Sequence, residues 1–225
     1  MREAAAHAFV VDLDAPELSE DDRRHLQRVL RLRAGEDLTV SDGAGRWRMC
    51  RFADPLEPVG EIVDSERPSP LVTVALALTK GERLDWAVQK LTELGVDRIV
   101  PLAAARSVVR WDAERAGPHV ERLRRIARQA AMQSRRTWLP AVDGLRSFAE
   151  AAATPGAALA EPDGAPPSLE RPVVLVGPEG GWSEEEAAAA LPTVGLGPTV
   201  LRAETAAVAA GALLCGLRAG LVGPP

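Results

Sequence analysis

One stretch of the sequence joins an apolar run to a glycine-rich turn. Val173–Val176 is typical of a buried strand, and GPEGG follows at positions 177–181, before a helix that Ser183 and Glu186 are expected to cap. Glycines let the backbone approach a ligand closely and point N–H groups at it. The turn is neither a Walker A sequence nor a GxGxxG fingerprint. Residues 177–181 could therefore form either a structural turn or a ligand-binding loop.

A second stretch carries charge beside an apolar helix. Arg202, Glu204 and Thr205 lie between a predicted strand at Val200 and Leu201 and a predicted helix over 205–217. A guanidinium and a carboxylate at such a junction can act on a bound substrate. They could equally neutralise each other, because the positive end of a helix dipole favours a carboxylate.

A third stretch is rich in arginine. Residues 106–136 hold nine Arg against three acidic residues, a local charge of +6 in a chain whose net charge is −5. At about 100° per residue, an apolar stripe runs beside a polar one. The polar stripe contains Arg122, Arg125, Gln129, Gln133 and Arg136. It could bind phosphates and base edges, or it could be the solvated face of an arginine-rich helix.

The elements that must position these stretches form two patterns in the 225 residues. Before residues 64–70, a polar, proline-containing segment typical of a linker, we expect a small β-barrel carrying one helix capped by Ser19. Its strands are predicted at 8–13, 38–40, 47–52 and 60–63, with a hairpin turn at 41–45. After the linker, apolar strands alternate with helices at 83–94, 118–136, 183–191 and 205–217, which predicts a parallel sheet covered by helices.

The composition excludes several classes of protein. The longest uncharged run has 15 residues, 187–201, and two prolines interrupt it, so it is too short to span a bilayer. The N-terminus lacks a basic region followed by an apolar run, so we expect no signal peptide. Cys50 and Cys215 form neither a metal-ligand spacing nor a disulfide framework. We therefore expect a cytoplasmic protein without a metal.

Taken in order, the motifs resemble one known family. They are HLxxVLRLR at 25–33, KxxELGV at 90–96, Pro101, RS at 106–107, QAxxQSxR at 129–136, GPEGG at 177–181 and LGxxVLRxETA at 196–206. This order closely resembles the ribosomal RNA small subunit methyltransferase E family of the SPOUT superfamily, over nearly the whole chain. The departures are mild: Ala203 stands where threonine is common, and Trp182 occupies a variable position.

The resemblance implies a fold, a reaction and an assembly. The fold is α/β: a PUA-like RNA-binding β-barrel domain over 1–68, then a SPOUT methyltransferase domain over 69–225. In the second domain a parallel sheet with helices on both faces is threaded into a trefoil knot. The reaction is methyl transfer from S-adenosylmethionine to N3 of a uridine in small-subunit (16S) ribosomal RNA. The implied assembly is a homodimer through the final helix, which has no charge over 205–217 and must be covered on all sides; burial within one chain is the alternative.

The resemblance also implies roles for individual residues. Arg202 stabilises the charge that develops on the deprotonated uridine, and Glu204 or Glu179 accepts the proton or holds Arg202 or the cofactor. The cofactor pocket comprises Val176, Gly177, Pro178, Glu179, Gly180, Gly181, Leu196, Gly197, Val200, Leu201 and Thr205. The residues expected to contact RNA are Arg28, Arg31, Arg33, Lys90, Arg106, Arg125, Gln133 and Arg136.

Two other functions remain open at this stage. A non-catalytic RNA-binding or ribosome-assembly factor would keep the scaffold without turnover, although such a protein would be expected to lose either the glycine loop or the residues around Arg202. An unrelated nucleotide-binding α/β enzyme is disfavoured by the missing phosphate motifs.

Overall fold

The structure, a computed structural model, describes residues 4–223, apart from the side chains of Ala113 and Arg115. The outer ends of the two expected domains, and the Arg115 side chain of the arginine cluster, therefore lie outside the described residues. Contacts divide the chain into two compact units. The first contains residues up to Arg67 together with Arg128–Leu139, and the second contains Pro68–Ala127 together with the residues from Pro140 onward.

The first unit is a small β domain with one helix. Its elements are β1 (Ala6–Phe9), α1 (Glu20–Arg28), β2 (Asp37–Ser41), β3 (Arg46–Arg51), β4 (Glu57–Pro58) and β5 (Val63–Asp64). β1 pairs with β2 in parallel, and β3 pairs antiparallel with β2, β4 and β5. The strand predicted at 60–63 is confirmed only at its last residue, because β5 begins at Val63 and residues 60–62 lie outside any strand.

The predicted hairpin and helix start of this unit are confirmed. β2 and β3 pair across the turn at 41–45, where Gly43 and Gly45 take positive φ angles of 75° and 99°. A Cβ at Gly45 would lie 2.4 Å from the Trp138 ring, so a glycine is required there. Ser19 caps α1 by accepting a hydrogen bond from the Asp22 amide.

The end of the third helix belongs to this first unit, which differs from the division expected at residue 68. Ala131 and Met132 are buried in the core of the β domain. Arg128 donates two hydrogen bonds of 2.7 Å to the buried carboxylate of Asp22. A guanidinium and a carboxylate in this bidentate arrangement are strongly held. Residues 128–139 therefore complete the small domain although they follow it by sixty residues in the chain.

The second unit alternates strands and helices. Its elements are β6 (Thr73–Ala77), α2 (Arg83–Leu94), β7 (Arg98–Ala103), α3 (Ala113–Gln133, shared with the first unit), β8 (Ala141–Val142), β9 (Arg146–Ser147), α4 (Phe148–Ala152), β10 (Ala157–Ala165), β11 (Val173–Val176), α5 (Glu184–Ala187), β12 (Thr193–Val194) and α6 (Ala203–Arg218). The strands lie in the order β12-β10-β11-β6-β7-β8, β9 also pairs with β7, and every pairing is parallel. The predicted parallel α/β sheet is confirmed.

Both faces of this sheet are covered. Along β6 and the residues beside it, Val72, Val74, Leu76 and Leu78 pack into one core with α2, α3 and α6. Ala75 and Ala77 point into the opposite core, which includes α4 and Trp182. Alternate strand residues face opposite sides of a sheet, so an almost continuously apolar strand must be covered twice.

Several elements differ from their predicted bounds: α3 spans Ala113–Gln133 and not 118–136, and α6 spans Ala203–Arg218 and not 205–217. The final strand is Thr193–Val194, and the predicted strand at Val200 and Leu201 is wrong, because residues 195–201 form a loop that contains two glycines and a proline. The helix predicted at 183–191 is confirmed only over Glu184–Ala187, where Ser183 and Glu186 form the expected capping box.

Helix α6 is buried on one face and half-exposed on the other. Ala210 is 0% exposed, and a Cβ at Gly211 would lie 2.7 Å from Leu91 of α2. Val208, Ala209 and Leu213 are half-buried on the remaining side. The chain itself therefore covers only part of this apolar helix. Within residues 4–223, no helix is long and apolar enough to cross a membrane.

Candidate active site

A cavity of about 260 Å³ lies at the carboxyl end of β11 and beside the middle of β10. The glycine loop after β11 and the loop before α6 form two of its walls, and Trp182 contributes a flat aromatic surface. In open parallel sheets, ligands bind outside the carboxyl ends of the strands. The two loops lie close together because α6, which follows one loop, packs against β11, which precedes the other.

The loop before α6 leaves a row of backbone donors free. Among the described residues, no protein acceptor takes the N–H groups of Leu196, Gly197, Thr199, Val200 and Leu201. A Cβ at Gly197 would meet nothing within 4 Å, so this part of the loop borders open space. Free N–H groups beside apolar walls suit a ligand with a flat heteroaromatic ring, because such a ring needs both contacts.

The cavity brings together most of the residues expected to bind a cofactor. All of them line it except Gly180 and Thr205. Gly180 contacts Arg106 instead, with its carbonyl accepting a 3.2 Å hydrogen bond from that guanidinium, and Thr205 is exposed on α6. Sequence reasoning missed the middle of β10, where Ala160, Glu161 and Pro162 complete the wall.

Three charged side chains meet beside this cavity. Arg83, in the first turn of α2, lies 3.1 Å from a carboxylate oxygen of Glu179 and 3.6 Å from one of Glu204. The Glu204 side chain is only 11% exposed, and its second oxygen, Oε2, is buried without a hydrogen-bond partner in the described part of the chain. A buried carboxylate oxygen without a donor is costly unless a ligand completes it.

Arg202 does not pair with Glu204, which the sequence had left open. It is the N-cap residue of α6, it is exposed, and it has no ion-pair partner among the residues described. Glu204 instead faces Arg83. A cation without a carboxylate beside it is available to a negatively charged group.

Arg83 was not recognised as a site residue from the sequence. One signal was present: a cation in the first turn of a helix is unfavourable, because that end of the dipole is already positive. Glu82, the N-cap residue of α2, also makes no side-chain capping hydrogen bond. A helix start with an arginine and no cap indicates that the arginine has acidic partners elsewhere.

The polar stripe of α3 is only partly free. Arg122 is paired with Asp85, whereas Arg125, Gln129 and Gln133 are exposed. Lys90, on α2, is paired with Glu93 at 2.8 Å. Arg106 lies against the glycine loop of the cavity. Of the residues in the second unit that are expected to contact RNA, Arg106 and Arg125 are therefore exposed. The Lys90 ammonium is already paired with Glu93.

In the first unit, several residues expected to contact RNA are exposed, and the backbone of another is fixed by a hydrogen bond. Arg28, Arg31 and Arg33 are exposed at and after the end of α1. The Arg136 carbonyl accepts a 3.0 Å hydrogen bond from Nε2 of His7, whose Nδ1 lies 2.8 Å from the Thr39 hydroxyl. Burial lowers the pKa of His7 to about 4, although the Arg136 carbonyl opposes that shift. Neutral His7 therefore fixes the backbone that carries Arg136.

Within residues 4–223, no group of His, Cys, Asp and Glu side chains could hold a metal ion.

Comparison with known proteins defines the class to which this fold and site belong. Residues 65–215 match the family described as an RNA methyltransferase domain, and residues 18–57 match an RNA methyltransferase PUA domain. The matched segments correspond to the α/β unit with the cavity and to the small β domain.

Individual relatives narrow the class. Ribosomal RNA small subunit methyltransferase E of Mycobacterium bovis is 36% identical over 223 residues, covering 84% of this chain and 82% of that protein. The Bacillus subtilis protein of the same name is 31% identical, covering 84% and 85%. The crystal structure of the Neisseria gonorrhoeae enzyme of that name, bound to S-adenosyl methionine, aligns with a TM-score of 0.79 and 31% identity over 94% of this chain and 97% of the other. The chain belongs to the ribosomal RNA small subunit methyltransferase E family.

Proposed function

We propose that this protein transfers a methyl group from S-adenosylmethionine to N3 of a uridine in small-subunit ribosomal RNA. The observation that carries the proposal is the cavity at the carboxyl end of β11 and the middle of β10. It has free backbone donors in one wall and, at its edge, an arginine without an ion-pair partner among the described residues. A relative with 31% identity has been crystallised with S-adenosyl methionine. A substrate of this kind implies a cytoplasmic protein.

The walls of the cavity fit the cofactor. The free N–H groups of residues 196–201 can donate to ring nitrogens of an adenine, and Val176, Leu201 and Trp182 supply apolar contact. When bound, S-adenosylmethionine supplies an electrophilic methyl group on a positively charged sulfur. We infer that the loop before α6 reaches this position by the threading of a trefoil knot, since α6 packs on β6 and β11 in the middle of the sheet whereas β12 lies at its edge.

The charged residues act on the uridine. Its N3 proton must leave before N3 can attack, and the resulting negative charge spreads over the ring oxygens. Arg202 can stabilise that charge, because no ion pair within the described part of the chain occupies its guanidinium. We assign the proton to Glu204, whose buried Oε2 has no hydrogen-bond partner among the described residues, although its other oxygen lies 3.6 Å from Arg83. Glu179 is half-exposed and bonded to Arg83 at 3.1 Å.

The test is methyl transfer from labelled cofactor to small ribosomal subunits that lack the modification, followed by mapping of the methylated base. We expect label at N3 of one uridine. Arg202→Ala should lower kcat at least a hundredfold, as loss of a preorganised donor does in other sites. The matched control is Arg171→Ala, an exposed arginine before β11, which should be neutral. RNA binding without transfer by the wild-type protein would instead identify a non-catalytic RNA-binding factor.

The exposed arginines are proposed to bind the RNA around the target. Arg28, Arg31 and Arg33 supply cations in the first unit, and Arg125 supplies one in the second. Replacing Arg125 and Arg136 together should weaken RNA binding and flatten its dependence on salt, because fewer phosphates are neutralised. Unchanged affinity and salt slope would leave the α3 stripe as a solvated surface.

We further propose that the half-exposed face of α6 pairs with a second copy of the chain. Val208, Ala209 and Leu213 form an apolar strip on that face, and a two-fold dimer requires such a patch to complement itself. Leu213→Asp should yield a monomer in light scattering, whereas Leu221→Asp, beyond the helix, should not. Ala210 is unsuitable for this test because it is fully buried within one chain. A wild-type monomer with full activity would refute the dimer.

A further inference from the structure

A second, larger cavity lies in the same unit as the candidate active site. It has a volume of about 750 Å³ and opens between the loop after β7, the start of α4 and helix α5. It shares no lining residue with the first cavity. The two are nevertheless adjacent: Phe148 lines the second cavity, Trp182 lines the first, and the centroids of these two rings are 5.4 Å apart. One aromatic pair separates them.

The lining of this second cavity combines aromatic surface with one cation. Trp111 and Phe148 contribute rings, and the orientation of Trp111 is fixed because it stacks on His119 with centroids 4.6 Å apart. Arg110 is exposed in the lining, and among the described residues its guanidinium makes one long hydrogen bond, of 3.4 Å, to the Ala105 carbonyl. Aromatic rings with an arginine beside them recognise unstacked nucleobases and their phosphates.

Of the two carboxylates in the lining, Glu185 is exposed and Glu186 is not available to a cationic ligand. Glu186 is buried, and its two oxygens accept hydrogen bonds from the Ala105 amide at 2.7 Å and the Ser183 amide at 2.8 Å. It ties the loop after β7 to the start of α5. Because backbone donors satisfy its charge, Glu186 holds the shape of the cavity. Glu185 is exposed and offsets the charge of Arg110, so the aromatic rings are the part of the lining that favours a flat ring.

We propose that the second cavity binds a nucleobase of the RNA strand next to the methylated nucleotide. The inference rests on the proposed function, since the first cavity and Arg202 must hold the cofactor and the target base. Because the two cavities are adjacent at the Phe148–Trp182 pair, a strand with its target base at the first cavity can place a neighbouring base in the second. Small side chains keep the space open: Ala105, Ala149, Ala152 and Ala189 all line it.

Filling the cavity tests the proposal. Ala149→Phe adds a ring to a lining residue at the start of α4, and Ala153→Phe adds the same ring to an exposed position at the other end of that helix, outside the lining. We expect Ala149→Phe to weaken binding of unmodified small-subunit RNA about tenfold, the size expected for loss of one stacked base. Affinity for S-adenosylmethionine, measured by calorimetry, should be unchanged, which also shows that the variant is folded. Ala153→Phe should bind RNA normally.

A second variant tests the same cavity without adding bulk that could distort its walls. Arg110→Met keeps the apolar stem and should lower the slope of RNA affinity against salt by about one phosphate contact. Equal RNA affinity for wild type, Ala149→Phe and Ala153→Phe would overturn the inference. The binding measurement does not depend on turnover. A wild-type protein that binds RNA without methylating it would refute the proposed function, and the RNA affinities of the variants would still test the role of the second cavity.

Discussion

The buried histidine of the first unit should make that unit sensitive to mild acid. His7 is 2% exposed, and burial lowers its pKa from 6.5 to about 4. The folded state therefore binds its proton less readily than the unfolded state. Such a group contributes fully to stability above about pH 7, and that contribution is lost as the pH falls from 6.5 towards 4.

The size of the effect follows from the two pKa values. Each unit of difference corresponds to about 1.4 kcal/mol, so the full shift amounts to about 3 kcal/mol at low pH. At pH 5, about 2 kcal/mol of unfolding free energy should already be lost relative to pH 7. Protonated His7 could no longer accept a hydrogen bond from Thr39 at Nδ1, and the backbone at Arg136 would lose its anchor.

The assay is urea unfolding at pH 7 and pH 5, followed by hydrogen–deuterium exchange of peptides from β1 and β2. The reference is His7→Gln, which can still donate and accept a hydrogen bond but does not titrate. Effects of pH on all other groups cancel in the difference between wild type and variant, and that difference should change by about 2 kcal/mol between the two pH values. His25→Gln, exposed on α1, is the control. A difference that stays constant within about 0.5 kcal/mol, well below the shift expected from linkage, would refute the reasoning.

Three further outcomes are expected. Arg83→Met should lower kcat for methyl transfer at least tenfold with an unchanged melting temperature, and Arg83→Lys should recover only part of it because one ammonium replaces a guanidinium that contacts two carboxylates. Gly211→Ala should cost about 1–3 kcal/mol of unfolding free energy by overpacking against Leu91, whereas Gly117→Ala, with open space around it, should be neutral or stabilising in the same denaturation assay. Arg202→Ala should abolish activity yet raise stability by up to about 1 kcal/mol, because it removes a cation from a helix N-terminus; a loss of stability would contradict this.

Elements bounded by strong local signals could be predicted from the sequence. Helix α2 begins and ends at the expected residues, and Gly95 closes it with a φ of 97°. Strand β11 matches its apolar run of four residues. In both cases the boundary is set by residues within the element or next to it, so neighbouring sequence contains the information.

Features that depend on distant partners could not be predicted. Periodicity correctly predicted the apolar face of α3, but not that Ala131 and Met132 pack into the first unit while Leu123 and Ala127 pack into the second. The residues around Val200 have a composition typical of a strand, yet Thr193–Val194 is the segment that pairs with β10. Pairing between elements far apart in the chain decided each of these outcomes.

The candidate site is recognisable because it breaks local rules that the rest of the chain obeys. Arg83 and Arg202 place cations at two helix N-termini, where carboxylates are the favourable choice. Glu204 is buried with one oxygen unpartnered among the described residues. Each arrangement is unfavourable by itself, and all three occur around one cavity. Folding alone gives no reason to keep them together, whereas a reaction that removes a proton and stabilises the resulting anion needs a buried carboxylate and a free arginine.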